Sequence, residues 1–189
     1  ALELLRVMAQ DKVEMNTIMY NCAISACQKG RKWKNALRLL RMMVQEEVEM
    51  DVITCNCAVS ACEKGREWTK ALELLGAMAQ GTSETNTITC NAAISACERG
   101  CEWVKALELL SKILQDRIET NTITYNAAIS ACEKGGDWVQ AMGLVSKMVQ
   151  AMIEADTITC SALMSAFAKG GKWLEALELL GKMMRGRIE

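Results

Sequence analysis

Asn121-Thr-Ile-Thr-Tyr-Asn126 decides the architecture, because it recurs at a fixed interval. The same hexamer reads Asn16-Thr-Ile-Met-Tyr-Asn21, Asp51-Val-Ile-Thr-Cys-Asn56, Asn86-Thr-Ile-Thr-Cys-Asn91 and Asp156-Thr-Ile-Thr-Cys-Ser161, 35 residues apart each time and without insertion. Trp33, Trp68, Trp103, Trp138 and Trp173 keep the same spacing. A fixed period of this length is the mark of a repeat array. The complete units are 17–51, 52–86, 87–121 and 122–156; a nearly complete one spans 157–189, and 1–16 is the back half of an earlier one.

Each unit reads as two helices. In the fourth, Tyr125, Ala128, Ile129 and Cys132 fall at i, i+3, i+4 and i+7, one apolar helical face. Asn121 or Thr122 can cap its start. Gly30, Gly65, Gly100, Gly135 and Gly170 stand where the first helices end, and glycine tolerates the left-handed backbone found there. The second helix carries Trp138, Ala141, Met142, Val145 and Met148, again at helical spacing, and elsewhere reads Ala-Leu-Glu-Leu-Leu, as at Ala71–Leu75 and Ala106–Leu110. A lone hairpin of this size cannot bury its apolar face, but stacked neighbours can. The expected fold is all-α, an α-solenoid of stacked helix-turn-helix repeats wound into a right-handed superhelix, with the first helices on its concave side.

Composition narrows the chemistry. The chain has 189 residues, 51% of them apolar, so disorder is not expected. It has no His, which removes His-based triads and most zinc sites, and no Pro. Lys and Arg number 22 against 23 acids, so any nucleic-acid site must come from local placement of charge. No apolar run is long enough to span a bilayer. Ala1 begins inside a helical pattern, which reads as an excerpt from a longer protein. Ten Cys would suggest disulfides, but Cys27, Cys62, Cys97 and Cys132 recur every 35 residues, as filling of one repeated packing site does. Reduced core thiols are expected, with neither metal nor cofactor.

A second stripe runs along each first helix. In the fourth unit it is Ile123, Asn126, Ser130 and Lys134, at offsets 3, 7 and 11. The others are Ile18, Asn21, Ser25, Lys29; Ile53, Asn56, Ser60, Lys64; Ile88, Asn91, Ser95, Arg99; and Ile158, Ser161, Ser165, Lys169. Each unit thus offers one β-branched apolar side chain, one amide or hydroxyl, one small hydroxyl and one cation. One cation per unit suits a polymer with one negative charge per monomer. Amides suit hydrogen-bonding edges, and aliphatic side chains can sandwich flat rings. Single-stranded RNA fits all three requirements.

With these segments in place, the chain resembles the pentatricopeptide repeat family over its whole length. The resemblance rests on Thr122-Ile-Thr-Tyr-Asn126, the Lys134-Gly135 helix end and Ala106-Leu-Glu-Leu-Leu110 at a strict period of 35. Uniform units look like the plain type. There are departures: the family commonly has Pro where this chain has Met50, Thr85, Thr120 and Ala155, and an aliphatic residue where it has Trp. The resemblance implies one nucleotide per repeat. The fifth residue of a repeat would meet the base edge and the last would tune the choice. The pairs are Asn21 with Asp51, Asn56 with Asn86, Asn91 with Asn121, and Asn126 with Asp156; Asn16 and Ser161 lack partners in this chain. Ile18, Ile53, Ile88, Ile123 and Ile158 would wedge between bases, and Lys29, Lys64, Arg99, Lys134 and Lys169 would approach phosphate. In the family's code, Asn with Asp resembles a uracil reader and Asn with Asn a pyrimidine reader, so the expected target is 5′-U-C/U-C/U-U-3′. The resemblance also implies RNA processing, stability or translation in a mitochondrion or chloroplast.

Plainer readings stand beside these. The Trp row is expected to be core. The unit-ending Asn and Asp are also good helix caps, and the cations could belong to a solvated face, since Glu63, Glu98 and Glu133 precede three of them. Glu14, Glu49, Glu84, Glu119, Glu154 and Glu189 form a repeated acidic row that could hold a protein. The reading is therefore a non-catalytic, monomeric RNA-binding module without membrane attachment; the alternative is a protein-binding scaffold.

Overall fold

The computed structural model describes residues 16–80 and 86–184. The described residues form ten helices and no strand, in two compact units, 1–96 and 97–189. The helices are α1 (Thr17–Lys29), α2 (Trp33–Gln45), α3 (Val52–Gly65), α4 (Trp68–Gln80), α5 (Thr87–Gly100), α6 (Trp103–Gln115), α7 (Thr122–Gly135), α8 (Trp138–Gln150), α9 (Thr157–Lys169) and α10 (Trp173–Met184). Each repeat supplies one helical hairpin, and the all-α expectation holds.

Sequence fixes the helix starts by capping. Asn16, Asp51, Asn121 and Asp156 have extended backbones, and each accepts a hydrogen bond from the amide three residues on. This satisfies one of the orphan donors of the first turn. The first helices end in tight turns, where Glu67 N–H donates to the Cys62 carbonyl over 3.0 Å and Asp137 N–H to that of Cys132 over 3.0 Å.

In the first unit, α1 packs on α2 and α3, and α3 on α4. Tyr20, Ile24, Leu39 and Met43 are fully buried between them. In the second, α7 packs on α6, α8 and α9, and α9 on α10. Ala58 and Ala61 in the first unit, and Ala128 and Ala131 in the second, are fully buried, and their small side chains let successive first helices approach closely. Cys27, Cys62, Cys97 and Cys132 are buried thiols. Burial pushes Cys62 and Cys97 up to about 11 and Cys132 up to about 12, so they are inert at neutral pH.

Three expectations need correction. On the second helix of the fourth repeat, Ala141, Leu144 and Met148 form the buried face, while Met142 is exposed. The helix-ending glycines are not the left-handed residues: Gly30 and Gly170 have φ of −80° and −79°. The positive φ falls one residue later, on Arg31, Arg66, Cys101, Gly136 and Gly171. Glycine is needed for a different reason. A Cβ on Gly65 would lie 2.3 Å from Trp33 Cδ1, one on Gly135 2.2 Å from Trp103 Cδ1, and one on Gly170 2.4 Å from Trp138 Cδ1. Each of these Trp rings lies against the bare backbone that ends the next repeat's first helix. The Trp row is accordingly half-buried rather than core, and Trp173 is 63% exposed.

Candidate nucleic-acid interface

The Asn and Asp positions meet through a third residue that the sequence reading passed over. Asn21 on α1 and Asp51 at the N-cap of α3 stand 30 residues apart, yet Asn21 Nδ2 donates to both Asp51 carboxylate oxygens over 3.1 and 3.0 Å. Thr54, fully buried, places its hydroxyl 2.5 Å from Asn21 Oδ1 and 2.8 Å from Asp51 Oδ1, and its amide donates to Asp51 Oδ1 over 2.7 Å. The fourth repeat repeats the arrangement. Asn126 Nδ2 donates to Asp156 over 3.0 and 3.2 Å, and the Thr159 hydroxyl lies 2.5 Å from Asn126 Oδ1 and 2.9 Å from Asp156 Oδ1. The Asp156 amide donates back to the Thr159 hydroxyl over 3.2 Å, closing a capping box.

In the second repeat Asn86 replaces the carboxylate. Its Oδ1 accepts from the Thr89 amide over 3.0 Å and lies 2.9 Å from the Thr89 hydroxyl, whose other neighbour is Asn56 Oδ1. Asn91 is half-buried on α5, while Asn121 is exposed and caps α7 through Thr124 N–H at 3.1 Å. Asn16 caps α1 by accepting from Met19 N–H over 3.0 Å. Ser161 is exposed and donates to its own helix, at the Thr157 carbonyl, over 2.7 Å. The signal for the threonines was present: Thr54, Thr89, Thr124 and Thr159 hold one place in a helix although Thr is a weak helix former.

Charge and geometry fix the amide's orientation. Burial alone would raise the Asp51 and Asp156 carboxyls, and it is the largest single influence. Hydrogen bonds from the threonine amide and hydroxyl, the asparagine amide and the following isoleucine N–H outweigh it, so both stay below the usual carboxylate value. An ionised carboxylate only accepts, so it draws the Asn nitrogen inward. In Asn21 and Asn126 these bonds leave one amide hydrogen and one Oδ1 lone pair not engaged by the Asp and Thr.

Beside these amides stands the isoleucine row. Ile18, Ile53 and Ile88 are 71%, 60% and 63% exposed in the first unit, and Ile123 and Ile158 are each 62% exposed in the second. None of them serves the core.

The cations stand in the last turns of the first helices. Lys29 and Arg99 are exposed and Lys64 half-buried. Lys134 Nζ lies 2.8 Å from Glu98 Oε1, and Lys169 Nζ 2.6 Å from Glu133 Oε1. Ser165, the small hydroxyl of the last stripe, donates to the same Glu133 oxygen over 2.8 Å. Burial would raise the Glu133 carboxyl, but the bonds from Lys169 and Ser165 hold it below its usual value.

Glu49 and Glu154 of the acidic row are exposed and accept through their backbone carbonyls from Thr17 and Thr122 hydroxyls, which ties the end of the first and fourth repeats to their beginnings. Glu14, Glu84 and Glu189 lie outside the described residues. Among the described residues no cluster of His, Cys, Asp and Glu could hold a metal ion, and no helix is long and apolar enough to cross a membrane.

The same backbone occurs in solved structures. The crystal structure of the pentatricopeptide repeat protein PPR10 from maize superposes with a TM-score of 0.75 at 23% identity, over 97% of this chain and 26% of that one. The structure of PPR10 in complex with an 18-nt psaJ RNA element gives 0.75 at 21% identity, over 92% and 29%. The PPR domain of Arabidopsis thaliana protein-only RNase P 1, in complex with tRNA, gives 0.74 at 15%, over 89% of this chain and 90% of that one. This chain therefore spans between a quarter and a third of the maize protein's structures, and at these identities the likeness is one of fold. No curated protein sequence matches it. Family models for the PPR repeat family and the PPR repeat match residues 120–169 and 158–188. A third, for pentatricopeptide repeat-containing proteins, matches residues 1–113, well over half of the 189. With hairpins, period and three family models in agreement, the chain belongs to the pentatricopeptide repeat family.

Proposed function

We propose that the chain binds single-stranded RNA, one nucleotide per repeat, with the preference 5′-U-C/U-C/U-U-3′. The observation that carries this reading is the isoleucine row. Apolar side chains about 60–70% exposed at every repeat gain nothing from the fold, and they share one helix face with the Asn and Ser positions. Flat bases would be clasped between successive isoleucines, and each base edge would meet an amide. The family resemblance supports the same assignment.

The carboxylate explains the difference between the pairs. Uracil presents an N–H at N3, where cytosine presents a lone pair. An ionised Asp51 or Asp156 behind the amide favours the base that donates and disfavours the one that accepts. Asn86 and Asn121 carry no charge and relax the choice to either pyrimidine. The role that follows is recognition of a transcript in RNA processing, stability or translation, in a mitochondrion or chloroplast, with any catalysis supplied elsewhere.

The test is Asn126→Thr with Asp156 kept. In the family's code Thr with Asp is associated with guanine, so preference at the fourth nucleotide should move from U to G. The other positions should not change, because repeats act nearly independently. Binding is measured with RNA oligomers varied at that nucleotide. Equal loss for all four bases, or a shift at another nucleotide, would overturn the assignment.

A further inference from the structure

Two ion pairs at the ends of the first helices are arranged unlike two others within single second helices. Lys70–Glu73 and Lys105–Glu108 are exposed pairs within one helix, three residues apart. Lys134–Glu98 and Lys169–Glu133 join partners 36 residues apart in sequence, so each cation is met by a carboxylate of the preceding repeat. In both, the acid is the better-held partner. The Glu98 side chain is 22% exposed against 36% for Lys134, and Glu133 is 17% exposed against 47% for Lys169. Ser165 adds a second anchor on Glu133. The lysine can therefore turn outward on its flexible stem while the carboxylate stays where it is.

We infer that Glu98 and Glu133 are built-in competitors for RNA phosphate: they occupy Lys134 and Lys169 in the free chain and set how strongly each repeat grips the backbone. This rests on the RNA-binding reading and deepens it. A phosphate oxygen approaching Lys134 would find an ammonium already holding one carboxylate oxygen. It would have to displace that oxygen or share the cation with it, and the nearby negative charge opposes either arrangement. The grip is graded along the chain. Thirty-six residues before Lys64 stands Gln28, whereas Glu63 precedes Arg99 by the same offset. If the repeat register carries over, Lys64 meets a neutral side chain at the place where Lys134 and Lys169 meet a carboxylate. The array should hold backbone most firmly toward its beginning and more loosely toward its end, where base reading must then carry more of the affinity.

Two variants of opposite sign test this. Glu98→Gln with Glu133→Gln keeps an oxygen that can accept from Lys169 and Ser165 but removes both charges. Gln28→Glu adds a charge opposite Lys64. Binding to a labelled pyrimidine RNA is followed by fluorescence anisotropy from about 25 to about 200 mM salt, where phosphate contacts dominate the salt dependence. The double variant should bind more tightly at low salt, by roughly two- to five-fold per removed charge, the range of an exposed ion pair. Its log–log salt slope should steepen by as much as about 1.4, since each single-strand phosphate contact is worth about 0.7. Gln28→Glu should bind more weakly and with a shallower slope. If all three proteins bind RNA with the same affinity and slope, the glutamates do not compete with phosphate, and the amide and isoleucine reading survives alone. If none of them, wild type included, binds RNA at low salt, the RNA reading itself falls, and this inference with it.

Discussion

Thr159→Val isolates the residue that joins two repeats into one site. The Thr159 side chain is buried, and valine has nearly its shape, so little packing is lost. What goes is a hydroxyl lying 2.5 Å from Asn126 Oδ1 and 2.9 Å from Asp156 Oδ1, which also accepts from the Asp156 amide. A hydrogen bond to a charged group is worth about 1.5–3 kcal/mol, and a buried acceptor left unsatisfied costs a similar amount. Asn126 is only 8% exposed, so water replaces the lost donor poorly. The loss should therefore be about 1.5–3 kcal/mol. For a chain of this size that lowers Tm by roughly 3–12 °C. Thermal melts and urea titrations followed by circular dichroism measure it. Thr157→Val on the same helix is the control, because Thr157 is exposed and a surface change of this kind moves stability by about 0.5 kcal/mol or less. With its Oδ1 unheld, the Asn126 amide keeps only its bonds to Asp156 and is oriented less rigidly, so discrimination between U and C at the fourth nucleotide should shrink. Equal stability of the two valine variants, or Thr159→Val at wild-type stability, would refute the bridge as a source of stability.

Gly135→Ala forces a Cβ against Trp103 Cδ1, and overpacking of this kind costs about 1–3 kcal/mol; a lowered Tm and shifted tryptophan emission should report it, whereas Gly76→Ala, which meets nothing within 4 Å, should leave emission unchanged. Arg66 has φ of 61°, so Arg66→Gly should gain up to about 1 kcal/mol by relieving left-handed strain, measured by urea denaturation. Asp51 and Asp156 sit below the ordinary value of 3.8 in the fold. Their contribution is complete above that value and is lost as pH falls below it through the folded value; Asp51→Asn with Asp156→Asn should flatten the acid limb of the stability profile. Exposed Cys22 and Cys101 should alkylate rapidly at neutral pH, while Cys62, Cys97 and Cys132 should react only on unfolding, as resolved by peptide mass spectrometry.

The fold was legible because one period carries several independent signals: cap, apolar face, glycine and tryptophan. Periodicity marks that a residue type is required without saying by what. Gly65 and Gly135 looked like conformational glycines, since the ring that excludes a side chain comes from a different hairpin. Asn126 and Asp156 were each assigned to a site, but their hydrogen bonds to one another, and the buried Thr159 that holds both, are contacts across 30 and 33 residues of sequence. The pairing of Lys134 with Glu98 was hidden for the same reason. The nearer acid in sequence, Glu133, in fact reaches forward to Lys169.

The threonine bridge bears on how such a chain can be copied and shuffled. Three of its contributors come from two different repeats, so a crossover between units would ordinarily break the site at the joint. Here the incoming helix brings the same threonine at Thr54, Thr89, Thr124 or Thr159. It accepts either an Asp or an Asn in front of it, as the Asp51 and Asn86 sites both do. The joint is a standard fitting, with the variable part on one side and the constant part on the other. Duplication of whole units therefore yields a working junction at once, and single substitutions at the Asn and Asp positions can then change what the copy reads without reworking the seam.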